Sequence, residues 1–236
     1  MASIIDFHSH ILPRIDDGSA SVEESIAMLE AEAKQGIRYV VATPHFYPNH
    51  DSPEQFLKKR ARAVAMLRQA AEGREDLPRL FVGAEVYYYR GISDSDFLPH
   101  LTICGTKSIL IEMPFGPWTD SMYQELENIR LRRGITPIIA HIDRYIAPFR
   151  THHIPERLAE LPVLVQANAE FFTAKSTSRM ALRMLRNGNI QLLGSDCHNM
   201  RSRSPNLGSA VSLIRERLGS DAIAYINQNQ HAVLDR

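Results

Sequence analysis

Cysteine is nearly absent from this chain: 236 residues hold only Cys104 and Cys197, and there is a single tryptophan. Two thiols cannot build a disulfide framework, and such sparse use fits a reducing compartment. Charge of either sign is not in excess, since 27 Lys and Arg balance 27 Asp and Glu. A formal net charge of zero excludes the basic footprint of a nucleic-acid-binding chain and gives no pull toward an anionic membrane surface. No apolar run approaches a membrane span, which argues against direct membrane insertion. The N-terminus also lacks the basic region and long apolar run of a signal peptide. A cytoplasmic location is expected. Linkers, low-complexity tracts and repeats are missing too, so a single domain over residues 1–236 is expected, a size that α/β barrels reach as one unit. Histidine stands out against these absences, with ten copies.

Two of the ten lie in Asp6-Phe7-His8-Ser9-His10-Ile11-Leu12-Pro13-Arg14-Ile15-Asp16-Asp17-Gly18-Ser19. The apolar pair Ile4-Ile5 leads into alternating residues, as in a buried strand. Residues two apart in a strand point the same way, which brings His8 and His10 to one face, close enough to share an ion. Imidazole suits zinc, manganese, iron and related metals, and Asp16 or Asp17 offers a hard oxygen just downstream. By itself the motif is equally compatible with two surface histidines before an Asp-Gly turn.

The rest of the chain alternates strand-like and helix-like segments. Ser21 and Glu24 have capping-box spacing, which predicts a helix to about Gln35, stopped by Gly36. Ser52-Pro53 opens a second helix whose apolar positions are Phe56, Leu57, Ala61, Val64, Ala65, Leu67 and Ala71. Further helices are expected over 119–133, 206–218 and 221–229. Buried strands are expected over 39–42, running into Thr43-Pro44-His45, and over 80–86, 108–114, 138–141, 163–168 and 191–198. The irregular stretch 87–101 reads as a loop over one barrel mouth. His8, His10, His45, Glu85, Glu112, His141, Asp196 and His198 all fall at or just beyond the C-terminal ends of these strands. A parallel β/α barrel gathers such ends on one face. Eight ligand-type side chains exceed what one ion needs, so two or three metals bridged by carboxylates are expected.

At this point the ordered set FHSHILPRIDDGS, TPHF, GAEV, IEMP, AHIDRY and GSDCHN resembles the PHP-type phosphoesterases. Within them it is most similar to the bacterial tyrosine-protein phosphatases of capsule and exopolysaccharide operons. The motifs run from Asp6 to Asn199, most of the chain; Arg14 departs from the Gly that many relatives carry there. The resemblance implies a distorted (β/α)7 TIM-like barrel with its site at the C-terminal strand ends, and a trinuclear centre of manganese or iron type, with cobalt or zinc as alternatives. It implies a phosphotyrosine protein as substrate, a tyrosine autokinase first among them. It groups His8, His10, Glu85 and Asp196 around a first metal. Glu85 then bridges to a second metal with Glu112 and His141, and Asp17, His45 and His198 hold a third. Asp6 and Asp16 are implied as groups orienting the histidines. Arg144 and Arg203 are implied as phosphate clamps, with Arg201 as a competitor for the second place.

Other readings coexist with this one. Cys197 to Ser204 matches the bare C-x5-R-[ST] pattern of cysteine-dependent phosphatases, although the loop has no Gly, and Asp196 beside Cys197 disfavours a thiolate. Otherwise Cys197 is a small filler. A phosphatase of small molecules such as histidinol phosphate, or a metal-binding scaffold without chemistry, are further alternatives. Tyr47 and Phe115 are placed to border a phosphotyrosine ring, but core packing or loop anchoring is the plainer expectation for each. His50, His100, His152, His153 and His231 read as solvated loop or helix residues.

Overall fold

The computed structural model describes residues 4–146 and 153–234, so His152 lies outside the described residues. It is a mixed α/β protein built on a curled, all-parallel sheet. Its strands are β1 (Ile5–Ser9), β2 (Tyr39–Ala42), β3 (His45–Phe46), β4 (Arg79–Val82), β5 (Glu85–Tyr87), β6 (Ser108–Glu112), β7 (Thr136–Ile139), β8 (Leu164–Asn168) and β9 (Leu192–Gly194). β1, β2 and β4 pair in that order, and β3, β5, β6, β7, β8 and β9 continue the curl in that order. A parallel bridge between Ser9 and Cys197 returns the last strand to the first.

Two of the expected strands are interrupted, which raises the count from seven to nine. Pro44, which has no N–H to donate, separates β2 from β3; Gly83-Ala84 separates β4 from β5. The ladder nevertheless runs through both gaps, with Gly83 N–H on the Ala42 carbonyl at 2.8 Å and Glu85 N–H on the Pro44 carbonyl at 3.0 Å. The interruptions bend the sheet without releasing its edge.

The principal helices are α1 (Val22–Lys34), α2 (Pro53–Ala70), α3 (Leu98–Leu101), α4 (Asp120–Arg133), α5 (Asp143–Ile146), α6 (Ile154–Ala159), α7 (Ala169–Thr173), α8 (Ser178–Arg186), α9 (Leu207–Leu218) and α10 (Ser220–Leu234). Ser21 caps α1 by accepting from Glu24 N–H at 3.2 Å, but Glu24 returns its carboxylate to Ala20 N–H, one residue earlier than in the usual box. The apolar stripe expected for α2 is partly displaced. Phe56, Ala63 and Leu67 are buried while Ala61 and Ala65 are exposed. Arg60 lies on the inward face, held by the carbonyls of Gly83 and His100 at 2.8 Å each. Its long apolar stem lets a charged residue occupy a packing position.

The stretch 87–101 is not a loop over a barrel mouth. It contains a 3-10 turn at Ile92–Asp94 and α3, buries Ile92, Leu98 and Leu101, and is fastened to α4. Arg133, the last residue of α4, reaches Ser93 O at 3.2 Å and Asp96 at 2.9 Å, and Glu125 accepts from Gly91 N–H at 2.8 Å. Since α4 ends just before β7 begins, the segment runs down the flank of the sheet.

Ile5, Phe7, Val41, Leu110, Ile138 and Leu192 pack together on the inner side of the curl, apart from the larger cluster between sheet and helices. Val233 of α10 joins this inner cluster. Gln230 accepts from Ile5 N–H at 3.0 Å and donates to Ile5 O at 2.6 Å. α10 therefore packs at the N-terminal end of β1, away from the histidines, and it runs five residues beyond the expected 229. His231 on this helix lies edge-on to Tyr39 and is half-buried, not solvated; His50, His100 and His153 are exposed.

Candidate metal centre

Simple alternation would put Phe7 and His8 on opposite faces of β1. The structure differs, because three steps of β1, from Asp6 to Ser9, oppose two steps of β2, from Val40 to Ala42. This β-bulge inserts one residue and turns His8 inward beside Phe7. His8 Nε2 and His10 Nε2 then stand 3.1 Å apart. Asp6 faces the opposite way, toward Glu32 of α1 and Cys197. Among the described residues it touches no imidazole. Its oxygens accept from His8 N–H at 3.1 Å, Ser195 N–H at 2.9 Å and Ser195 Oγ at 2.5 Å, so it clips the bulge to the end of β9.

Two other proposed ligands sit where the backbone leaves its strand in an unusual conformation. His141 has φ 32° and Asp196 φ 54°, the left-handed region that costs a non-glycine residue about 1–3 kcal/mol. Each kink is held by its own amide, His141 N–H on Gln166 Oε1 at 2.7 Å and Asp196 N–H on the His8 carbonyl at 2.8 Å.

Glu85, at the start of β5, is the hub. Its Oε2 has His45 Nδ1 at 2.9 Å, His8 Nε2 at 3.2 Å and His10 Nε2 at 3.3 Å, and its Oε1 lies 2.8 Å from His141 Nε2. Glu112, the last residue of β6, stands 3.9 Å from His45 Nδ1 and 3.6 Å from His141 Nε2. Asp196 Oδ1 is 3.5 Å from both His8 Nε2 and His10 Nε2. Asp17, 66% exposed, places Oδ1 3.5 Å from His45 Nε2 and from His198 Nε2. Asp16 meets His10 Nδ1 at 2.8 Å and also accepts from His45 N–H at 3.0 Å.

All nine side chains expected as ligands thus converge, and three subsets of them lie closest together. The tight sets are His8, His10 and Glu85; His45, Glu85 and Glu112; and His10, Asp17, His45 and His198. His45 turns one ring nitrogen to each of two sets, and His141 stands beside the second. Arg144 reaches Asp196 Oδ2 at 2.7 Å and Glu112 at 3.4 Å, and Arg203 reaches Asp196 Oδ1 at 2.9 Å. Among the described residues Arg201 forms no ion pair.

The donor set fits metal ions. Glu85 Oε2 faces three imidazole nitrogens yet accepts a hydrogen bond from none, and His45 Nδ1, Glu112 Oε2, His141 Nδ1 and His198 Nε2 are likewise buried without one. Atoms that share an ion at about 2.0–2.2 Å lie about 3 Å from each other, which is the spacing around Glu85. Burial and neighbouring charge oppose each other at several of these groups. Burial lowers the His8 pKa, but Glu85 and Asp196 outweigh it and hold it above the ordinary value. Burial likewise opposes protonation of His10, while its hydrogen bond with Asp16 and the nearness of Glu85 push it up to about 10. Asp16, despite burial, is held at about 2 by its hydrogen bond with His10. Burial works against an ionised Glu85, yet His8, His10 and His141 hold it well below the carboxylate range. Burial and the charge of Glu85 push Glu112 upward. Burial and His10 pull His198 down to about 4.

The same geometry removes the cysteine reading. Cys197 is fully buried, and burial, with Asp6 and Glu32, pushes its thiol well above the usual range. The amides of the following loop offer no phosphate cradle, since Arg201, Ser202 and Arg203 N–H all turn to Asn199 Oδ1 and His198 N–H to the Arg203 carbonyl. Of the two aromatics, Tyr47 is half-buried and stacks on His45, with centroids 5.0 Å apart, whereas Phe115 is 71% exposed and is not a core residue.

A family model for capsular polysaccharide synthesis, CpsB/CapC, matches residues 4–235. The chain belongs to the CpsB/CapC family. It is 30% identical to the tyrosine-protein phosphatase YwqE of Bacillus subtilis over 98% of this chain and 91% of that one. With the tyrosine-protein phosphatase CpsB of Streptococcus pneumoniae it shares 31% identity over 92% of each chain. A crystal structure from work on YwqE and CpsB of those organisms, described as unique metal-dependent tyrosine phosphatases, superposes with a TM-score of 0.85 at 25% identity. That superposition covers 98% of this chain and 94% of that one.

Two members of this CpsB/CapC chain's inner wall escaped the sequence reading. Gln166 and Asn168 of β8 are buried polar residues two apart in an otherwise apolar strand, aimed at the centre. Their shared parity with Leu164 was the available signal.

Proposed function

We propose that this chain is a metal-dependent protein-tyrosine phosphatase, a phosphoric monoester hydrolase acting on phosphotyrosine in a protein. The observation that carries the reading is Glu85 Oε2 ringed by three imidazole nitrogens beside two arginines paired to Asp196. Counting β2 with β3 and β4 with β5 as interrupted strands gives a distorted seven-stranded TIM-like barrel in a single domain, with the site at its C-terminal strand ends.

His8, His10, Glu85 and Asp196 would hold one ion, Glu85 and Glu112 with His141 a second, and Asp17, His45 and His198 a third. The family resemblance puts manganese first, and the mixed imidazole and carboxylate set is compatible with it and with iron, cobalt or zinc. Divalent ions bound there supply positive charge to the phosphoryl oxygens and lower the pKa of a water. The chain's own contribution is orientation. Asp16 fixes the His10 ring, and Arg144 and Arg203 approach from the two oxygens of Asp196 to grip a phosphate. An oxygen of water bonds to phosphorus as the bond to the phenolic oxygen breaks. A phenol of pKa about 10 leaves more readily than an alkyl alcohol, so the site asks less of a general acid.

The family's link to capsular polysaccharide synthesis makes a tyrosine autokinase of capsule or exopolysaccharide assembly the fitting partner. The cysteine content fits a cytoplasmic enzyme, and among the described residues no helix is long and apolar enough to cross a membrane. The test compares turnover of a phosphotyrosine peptide with that of histidinol phosphate, with and without chelator. Chelator-sensitive preference for the peptide is expected; preference for histidinol phosphate would move the protein to the small-molecule class.

A further inference from the structure

Gln166 and Asn168 are not among the ligands or clamps, yet they are aimed into the centre. We infer that the two form a one-way amide relay that fixes the tautomer of His8 and the orientation of His141 and Asp196. They are positioning residues of the metal centre, and the inference rests on the metal reading above.

The direction of the relay follows from donor chemistry. The backbone N–H of His141 can only donate, and it points at Gln166 from 2.7 Å, so the atom it meets is the carbonyl oxygen Oε1. His8 Nδ1 lies 3.2 Å from that same Oε1. An oxygen of this kind only accepts, so Nδ1 carries the hydrogen, and Nε2 is the nitrogen left for the Glu85 side. The amide nitrogen of Gln166 then faces the other way and donates to Asn168 Oδ1 at 3.0 Å. That fixes Asn168 in turn, and its Nδ2 donates to Asp196 Oδ2 at 3.0 Å. With Oδ2 occupied by Asn168 and Arg144, Asp196 turns Oδ1 toward His8 and His10.

Two further features show that the fold is built around this chain of amides. The φ of 32° at His141 takes its N–H out of the strand ladder, and Gln166 supplies the missing acceptor while its own carbonyl accepts from Ile142 N–H at 3.0 Å. Gly194 of β9 leaves the space that the relay needs: a Cβ there would stand 2.5 Å from His8 Cβ and 2.8 Å from Gln166 Nε2. One side chain thus serves ligands from β1 and from the end of β7 directly, and a third through Asn168.

The experiment titrates Mn²⁺ into the full-length wild type, Gln166→Leu, Gln166→Glu and Asn168→Ala, and records the melting temperature of each metal-free protein. Proton and nitrogen NMR of the zinc-loaded forms reads which nitrogen of His8 carries hydrogen. Gln166→Leu should bind Mn²⁺ about 10- to 100-fold more weakly, as loss of a ligand's outer partner does. It should also lose the protected Nδ1 hydrogen of His8. Gln166→Glu, which keeps an acceptor at Oε1, should retain that hydrogen. Asn168→Ala should weaken Mn²⁺ binding with the His8 tautomer unchanged, and it carries the test if Gln166→Leu does not fold. Wild-type Mn²⁺ affinity in folded Gln166→Leu or Asn168→Ala, or hydrogen on Nε2 of His8 in the loaded wild type, overturns the relay alone. A wild type that binds neither metal overturns the metal reading and the relay with it.

Discussion

Replacing Arg144 by alanine separates the metal mechanism from a cysteine mechanism most directly. The guanidinium is 38% exposed and contacts two carboxylates, Asp196 at 2.7 Å and Glu112 at 3.4 Å. Solvent reaches the guanidinium, but both carboxylates are largely buried, so the change carries a stability cost that the melting temperature reads. Asp196 keeps Asn168 at 3.0 Å and Arg203 at 2.9 Å, so the fold should survive the change. The rate should not. A donor that strengthens as charge develops on the phosphoryl group contributes about a hundredfold or more, equivalent to about 2.7 kcal/mol. Cys197→Ser should keep most activity, because the thiol is buried and its loop amides are spent on Asn199. The assay is kcat/KM on a phosphotyrosine peptide, with metal content and melting temperature measured beside it, since Cys197 lies between two proposed ligands. Full activity in Arg144→Ala, together with loss in Cys197→Ser at unchanged metal content, would refute the reasoning.

Protein purified without chelator should carry roughly two to three metals per chain by elemental analysis, and chelation should abolish turnover. A metal-free, chelator-insensitive enzyme would contradict the site. Glu85→Gln should lose more activity and more metal than His45→Gln, since Glu85 has four imidazoles within 3.3 Å; a fully loaded, fully active Glu85→Gln would remove it from the ligands. Gly194→Ala should lower stability by about 1–3 kcal/mol and reduce metal content, because the added methyl meets His8 Cβ at 2.5 Å. Calorimetry and metal analysis would expose an unperturbed variant.

How much of this was readable in the sequence follows from what each feature depends on. An apolar run ending in His45, Glu112 or Asp196 marks a strand and its exit by composition alone, so the convergence of ligand types could be anticipated. The bulge at His8 could not, because it exists only in the pairing of β1 against β2. The same holds for the left-handed turns at His141 and Asp196, residue types that carry no glycine-like signal. Arg60 broke the α2 stripe because a charged head can leave a packing position along its stem. The short helices α5 to α8 span too few turns to show a period. Stretch 87–101 looked like a surface loop, yet Arg133 and Glu125 of α4 satisfy its backbone from a distance that no local pattern reveals.

The clasp of Gln230 on Ile5 joins positions 225 apart in the chain. β1, which carries the first two histidines, therefore has its lower end completed only by the final helix, and its far edge only by residues 194–197. A polypeptide emerging from the ribosome can pair β1 with β2 early, but the polar atoms of Ile5 stay hydrated until Gln230 is available to take them over. Long-range closure of this sort slows folding. β1 precedes β9 and α10 in synthesis yet depends on both, so the strand that carries His8 and His10 is completed late.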